Sequence, residues 1–181
     1  MPKTILQKNS PILRKLSKKI EEREIISLKI KKIISEMKTA LESQHDGVAI
    51  AAPQIGYSLR IFIISKRAFE INKKANEKQF ADMVFINPVI KKLSKKLNIL
   101  EEGCLSVRYS YGKVKRSKQA TVEAYDENGN KFVRGATGLF AQIFQHEIDH
   151  LDGVLFIDKA ENIEEIPPEE IGKKIKKQND E

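Results

Sequence analysis

The tightest constraint on this chain is a pentapeptide in its last third, His146-Glu147-Ile148-Asp149-His150, which holds two of the three histidines. On an α-helix, residues four apart share a face. Both imidazoles can then reach one ion, with Glu147 beside the first of them to work on a water held there. The flanks agree with a helix over 138–151, because Leu139, Ile143, His146 and His150 fall on one stripe of a 3.6-residue period. The alternative is a chance match on a surface helix. Histidines that continue an apolar stripe argue against it. The chain must therefore supply a helix with its histidines turned inward and other elements to cover that face.

Two histidines do not complete a catalytic metal site, which usually takes three protein ligands and leaves a fourth position open. No histidine follows His150, and the later acids Glu161, Glu164, Glu165, Glu169 and Glu170 stand in a polar segment around Pro167-Pro168. The other candidate is the sole cysteine, Cys104, in Glu101-Glu102-Gly103-Cys104-Leu105-Ser106. A lone cysteine is most often a small buried apolar residue. Beside HExxH, a thiolate completing a His₂Cys set is the better reading. Gly103 lets another element approach closely.

One cysteine excludes an intrachain disulfide and suggests a reducing compartment, the cytoplasm or an organelle matrix. No apolar run approaches the roughly 18 residues of a membrane span, and the start, MPKTILQKNSP, lacks the apolar stretch of a secretory signal. The net charge of +8 raises the question of nucleic acid. The lysines, however, are scattered as pairs among acids, and no DNA-binding signature is present. A solvated surface is expected, with no DNA partner and no membrane partner. The exception expected is ribosome contact through the basic tail at 173–177.

At 181 residues one domain is expected, over 1–160, followed by a Lys/Glu-rich tail over 161–181. The segment 25–43 reads as an amphipathic helix, with Ile26, Ile30, Ile33, Met37 and Leu41 on one face. Strands are expected at 59–65, 84–90, 96–100, 121–125 and 131–134, with 66–80 a loop and Asn128-Gly129 a hairpin turn. The order helix, strands, helix gives an α+β class. Its antiparallel or mixed sheets would pack around the central HExxH helix, with the amphipathic helix near the N-terminus.

Three blocks in order resemble the peptide deformylase family. They are Gly47-Val48-Ala49-Ile50-Ala51-Ala52-Pro53-Gln54 (compare GxGLAAxQ), the intact EGCLS of residues 102–106, and Gln145-His146-Glu147-Ile148-Asp149-His150-Leu151 (compare QHExDHL). The resemblance implies a metal-dependent hydrolase that removes the formyl group from N-formylmethionyl peptides and releases formate; a monomer is expected. It implies Cys104, His146 and His150 as metal ligands and Glu147 as general acid/base. Gln54 and the backbone N–H of Leu105 would be donors to the developing oxyanion, and Gly47 would shape the edge that binds the substrate strand. The implied metal is Fe²⁺, with Zn²⁺, Ni²⁺ or Co²⁺ as substitutes; thiolate and imidazole ligands exclude Mg²⁺ and Ca²⁺ but do not choose within that group.

Val48, Leu139 and Ile143 would line an apolar pocket for the methionine side chain, though plain core packing suits them equally. Three departures stand out. Ala49 replaces the second glycine of the first block, where a Cβ could crowd the backbone or meet a positive φ. Arg108 follows EGCLS-Val where the family often has proline, and Gln142 is polar on the helix. A second reading is therefore a deformylase-like metallohydrolase with altered amide specificity. Glu102 and Arg116 could pair near Cys104.

Overall fold

A computed structural model describes residues 1–71 and 81–167. After two short 3₁₀ turns, Pro11–Arg14 and Glu22–Glu24, the elements run α1 (Leu28–Glu42), β1 (Ala49–Ala51), β2 (Ile61–Ile64), α2 (Lys66–Ile71) and β3 (Met83–Leu93). They continue with β4 (Leu97–Cys104), β5 (Val107–Ser117), β6 (Gln119–Tyr125), β7 (Lys131–Thr137), α3 (Gly138–Leu151) and β8 (Glu161–Glu165). Two antiparallel sheets form, β1-β2-β3-β6-β7 and β4-β5-β8. The class is α+β with antiparallel sheets.

The five-stranded sheet is buried on both faces at its β1–β3 end, and side-chain alternation divides its residues between two cores. On one face, Ile50, Ile61, Ile63, Val84 and Ile86 pack with Ile30, Ile33, Ile34, Met37 and Leu41 of α1. On the other, Ala49, Ala51, Phe62, Ile64 and Phe85 pack with Ala141, Ile143, Phe144, Ile148 and Leu151 of α3. This double burial explains the unbroken apolar run of β2. The Phe62 and Phe85 rings stack at 4.4 Å, and Phe144 meets Phe85 edge-on at 5.3 Å. Burying a side chain of this size stabilises the fold by roughly 1.5–3 kcal/mol, and each such ring pair adds about 0.5–1.5 kcal/mol.

Helix α1 starts at the Ser27 cap, whose hydroxyl accepts from the Ile30 N–H. Ile26, expected on the apolar stripe, precedes the helix and is 56% exposed. The expected loop at 66–80 opens with the short helix α2, and its remainder, 72–80, lies outside the described residues. Residues 161–165, expected in the tail, instead add β8 to the small sheet by backbone pairing with β5. The lysines at 173–177 lie outside the described residues.

Two elements close the fold around α3. A third core of Leu13, Val107, Val114, Leu155 and Phe156 lies under the small sheet. Gly153, at φ +77°, ends the α3 turn where a Cβ would stand 2.7 Å from the Arg14 carbonyl oxygen. Helix α3 is thus held between the two sheets, one stripe on the large sheet and another facing a cleft beside β4 and β5.

Candidate metal centre

Cys104 ends β4 at the tight Leu105-Ser106 turn into β5, where Cys104 pairs with Val107. This turn carries its sulfur over α3. The Cys104 Sγ lies 3.1 Å from His150 Nε2, and the ligand atoms of Cys104, His146 and His150 all lie within 4.8 Å of one another. The two imidazole centroids are 5.0 Å apart. The structure therefore brings together the three residues grouped from the sequence.

The surrounding charges fix these rings. Arg116 of β5 donates two parallel bonds to Glu102, Nε to Oε1 at 2.7 Å and Nη2 to Oε2 at 2.8 Å. Glu102 Oε2 in turn meets His146 Nδ1 at 2.9 Å, which leaves Nε2 of that ring for the centre. Arg116 Nη1 donates to Asp149 at 2.6 Å, so one guanidinium ties β4 to α3. Burial disfavours the Glu102 carboxylate, yet Arg116 and His146 outweigh it and hold its pKa down to about 2. Gln145 clamps the same helix to β5, exchanging bonds of 3.0 Å with the N–H and carbonyl of Ser117.

Cys104 and Glu147 are shifted in opposite directions. Burial opposes the Cys104 thiolate, but His150 and His146 beside it bring its pKa down to about 5. Burial pushes the Glu147 carboxyl up to about 7 against the pull of both imidazoles. Burial also opposes charge on His146, while Cys104 and Glu102 hold its pKa well above the ordinary imidazole value. Glu147 Oε2 and His150 Nδ1 are buried with no hydrogen-bond partner. A soft thiolate, two imidazoles and an unpaired carboxylate oxygen, gathered at one spot, fit a transition-metal dication.

The cleft above these groups has a volume of about 410 Å³. Gly47, Val48, Gln54, Leu105, Leu139 and Ile143 all line it, together with His146 and Glu147. Gln54 is oriented by its own turn: its Oε1 accepts from the Ala51 N–H at 2.8 Å, which turns Nε2 toward Ser106 Oγ at 3.1 Å and Cys104 Sγ at 3.6 Å. Gly47 sits where a Cβ would stand 3.0 Å from Leu41 and 3.1 Å from Leu105. Gly103 admits the Tyr111 ring, 2.8 Å from where its Cβ would be. Ala49 lies in β1, outside the positive-φ region, so its Cβ meets no backbone strain there. Gln142 is explained by its bond to the Glu101 carbonyl oxygen, 3.0 Å across from α3 to β4.

A family model described as "Polypeptide deformylase" matches residues 2–165. The chain belongs to the peptide deformylase family. It is 40% identical over 147 residues to peptide deformylase 2 of Clostridium acetobutylicum, covering 81% of this chain and 87% of that one. A class I type b peptide deformylase from Acinetobacter baumannii, solved with Met-Ala-Ser bound, is similar with a TM-score of 0.79 at 30% identity, covering 88% of this chain and 98% of that one. A peptide deformylase of Synechococcus elongatus, solved in complex with actinonin, has a TM-score of 0.77 at 31% identity, covering 98% and 88%. No helix among the described residues is long and apolar enough to cross a membrane.

Sequence reasoning overlooked two contributors. Ser106 shares the Gln54 amide with the sulfur, and its sequence signal is its place at the end of the EGCLS block, two residues after Cys104. Asp149 takes the third arm of Arg116, which its position three residues after His146 on the helix could have suggested.

Proposed function

We propose that the chain hydrolyses the formamide of N-formylmethionyl peptides, with Cys104, His146 and His150 holding one Fe²⁺ ion for which Zn²⁺, Ni²⁺ or Co²⁺ can substitute. The observation that carries this reading is the convergence of those three donors within 4.8 Å beside the unpaired Oε2 of Glu147. An ion held there would supply Lewis acidity, making water acidic enough to attack at neutral pH and polarising the formyl oxygen.

The chain's own groups do the rest. Water attacks the formyl carbon and gives one proton to Glu147, a carboxylate whose raised pKa suits it to take a proton and return it. As the C–N bond breaks, Glu147 delivers that proton to the departing nitrogen, leaving a free methionyl amine and formic acid, which gives its remaining proton to solvent and departs as formate. The Nε2 of Gln54, held in place through Ala51, and the N–H of Leu105 donate to the oxygen on which negative charge builds. Val48, Leu139 and Ile143 receive the methionine side chain.

The substrate backbone lies between two sheet edges. β1 ends one sheet and β4 ends the other, both at the cleft, and an unpaired edge is a template for an added strand. Gly47 keeps the β1 side close to Leu105. The Met-Ala-Ser bound to the Acinetobacter baumannii relative supports a peptide of this kind as ligand.

The protein is read as a monomer acting in the cytoplasm or an organelle matrix, with one catalytic domain and ribosome contact through 173–177. Deleting 173–177 should weaken ribosome pelleting and leave peptide turnover intact. The direct test of the reaction is formate release from formyl-Met-Ala-Ser by protein loaded anaerobically with Fe²⁺, beside Glu147→Gln. Wild type should release formate, and the variant should retain the ion and lose about 10²–10⁴-fold in rate. No formate from loaded wild type would refute the assignment.

A further inference from the structure

We infer that Arg108 selects substrates by charge, and that an acidic side chain one or two residues after the formyl-methionine takes the place of Asp46 on its guanidinium. This inference rests on the deformylase reading of the cleft and names a preference within it.

The β4–β5 ladder pairs Cys104 with Val107 but Gly103 with Tyr111, so Arg108, Tyr109 and Ser110 are three β5 residues without a β4 partner, forming a bulge at the cleft rim in which Ser110 pairs with Glu165 of β8. Tyr109, at φ +63° and 46% exposed, marks the outward kink. From this bulge Arg108 reaches across the rim to the segment after α1. Its Nη1 donates to Asp46 Oδ2 at 2.8 Å and its Nη2 donates to Gln44 Oε1. Among the described residues lining the cleft, Arg108 is the one lysine or arginine, whereas Asp46, Glu101, Glu102 and Glu147 are acids.

The Arg108–Asp46 contact is exchangeable. The segment that carries Asp46 is already fixed by Arg67, which donates to the carbonyl oxygens of Leu41 (2.8 Å), Gln44 (2.6 Å) and His45 (3.2 Å). Breaking the Arg108 contact leaves that wall standing. The Asp46 side chain is 48% exposed and that of Arg108 28% exposed, so water screens the pair and holds it weakly. A guanidinium has five N–H donors, and Asp46 and Gln44 do not exhaust them. With the formyl group on the floor and methionine in the apolar recess, the following residues leave past the Asp46–Gly47 wall and the bulge. An extended chain advances about 3.3 Å per residue, which brings the second or third residue to this rim.

The test compares kcat/KM for formyl-Met-Asp-Ser and formyl-Met-Ala-Asp with their lysine counterparts, using Fe²⁺-loaded protein. At one of the two positions the acidic peptide should be favoured about two- to five-fold, the scale of one partly screened ion pair, mostly through KM. Asp46→Asn should widen that ratio by freeing the guanidinium, Arg108→Gln should bring it to one, and added salt should shrink it. Ratios of one at both positions in wild type would overturn the inference. So would a ratio that Arg108→Gln leaves unchanged or that Asp46→Asn fails to widen. Failure of formyl-Met-Ala-Ser to release formate would instead strike the deformylase reading itself.

Discussion

Replacing Arg116 with methionine tests whether the site is held up by one buried guanidinium. Its side chain is 3% exposed and that of Glu102 is 2% exposed. Arg116→Met keeps most of the aliphatic volume but leaves the Glu102 carboxylate buried without its guanidinium, with the His146 ring at 2.9 Å and the Gln142 amide at 3.4 Å beside it. Asp149 is less affected, because Lys159 still reaches both of its oxygens at 2.8 and 2.9 Å. Stranding one buried charge typically costs about 3–5 kcal/mol. For a domain of this size each kcal/mol moves the midpoint by about 2–4 °C, so Tm should fall by roughly 6–20 °C. Adding Glu102→Gln removes the stranded charge and retains an acceptor for the His146 N–H. The double variant should therefore be more stable than Arg116→Met alone, with a coupling of about 0.5–3 kcal/mol. Urea denaturation of the four proteins, each at the same ion loading, reads this cycle. A loss below about 1 kcal/mol for Arg116→Met, or a double variant whose loss equals the sum of the two single losses, would refute the argument.

Three further outcomes are expected. Cys104→Ser exchanges a soft anionic ligand for a neutral hydroxyl, so metal content after dialysis should drop; equal retention by elemental analysis would remove Cys104 from the ligand set. Gly153→Ala places a Cβ 2.7 Å from the Arg14 carbonyl oxygen at φ +77°, which should cost about 2–4 kcal/mol in urea denaturation; a loss under about 0.5 kcal/mol would show that the turn gives way. Although burial opposes the Asp158 carboxylate, Arg14 and the Leu155 N–H hold its pKa below the ordinary aspartate value. The folded state thus binds fewer protons than the unfolded one. The stability from this group is complete above roughly pH 4 and lost as pH falls through the lowered folded value. Asp158→Asn should flatten that acid limb, and superimposable limbs would contradict it.

What could be read from the sequence divides along physical lines. Helix α3 was legible because two signals coincide in it: an apolar stripe on the 3.6-residue period and a ligand spacing that needs the same period. Strand β2 was legible because burial on both faces leaves an unbroken apolar run. Strand β5 was not. Its buried positions include Ser110, Gly112 and Arg116, which carry no apolar alternation. Gly112 is there because a Cβ would stand 2.8 Å from Ala160, and Arg116 is tolerated because Glu102 on the neighbouring strand meets it with two bonds. Strand β8 is exposed at all of its positions and depends on main-chain bonds that no side-chain pattern announces.

The same division runs through the candidate site. Cys104, His146, His150 and Glu147 are recognisable by residue type, since few side chains can perform their chemistry. The residues that aim them are ordinary in type and acquire their roles only through pairings such as Glu102 with Arg116, Gln54 with the Ala51 N–H, and Asp46 with Arg108. The Gln54 pair closes within one turn, Glu102 and Arg116 meet on the neighbouring strands β4 and β5, and Asp46 with Arg108 bridges separate walls of the cleft. A variant's effect here should therefore follow the partner it strands more closely than its distance from the sulfur. Arg116, whose loss leaves a charge in a dry interior, should matter far more to stability than Arg108, whose loss leaves Asp46 half in water.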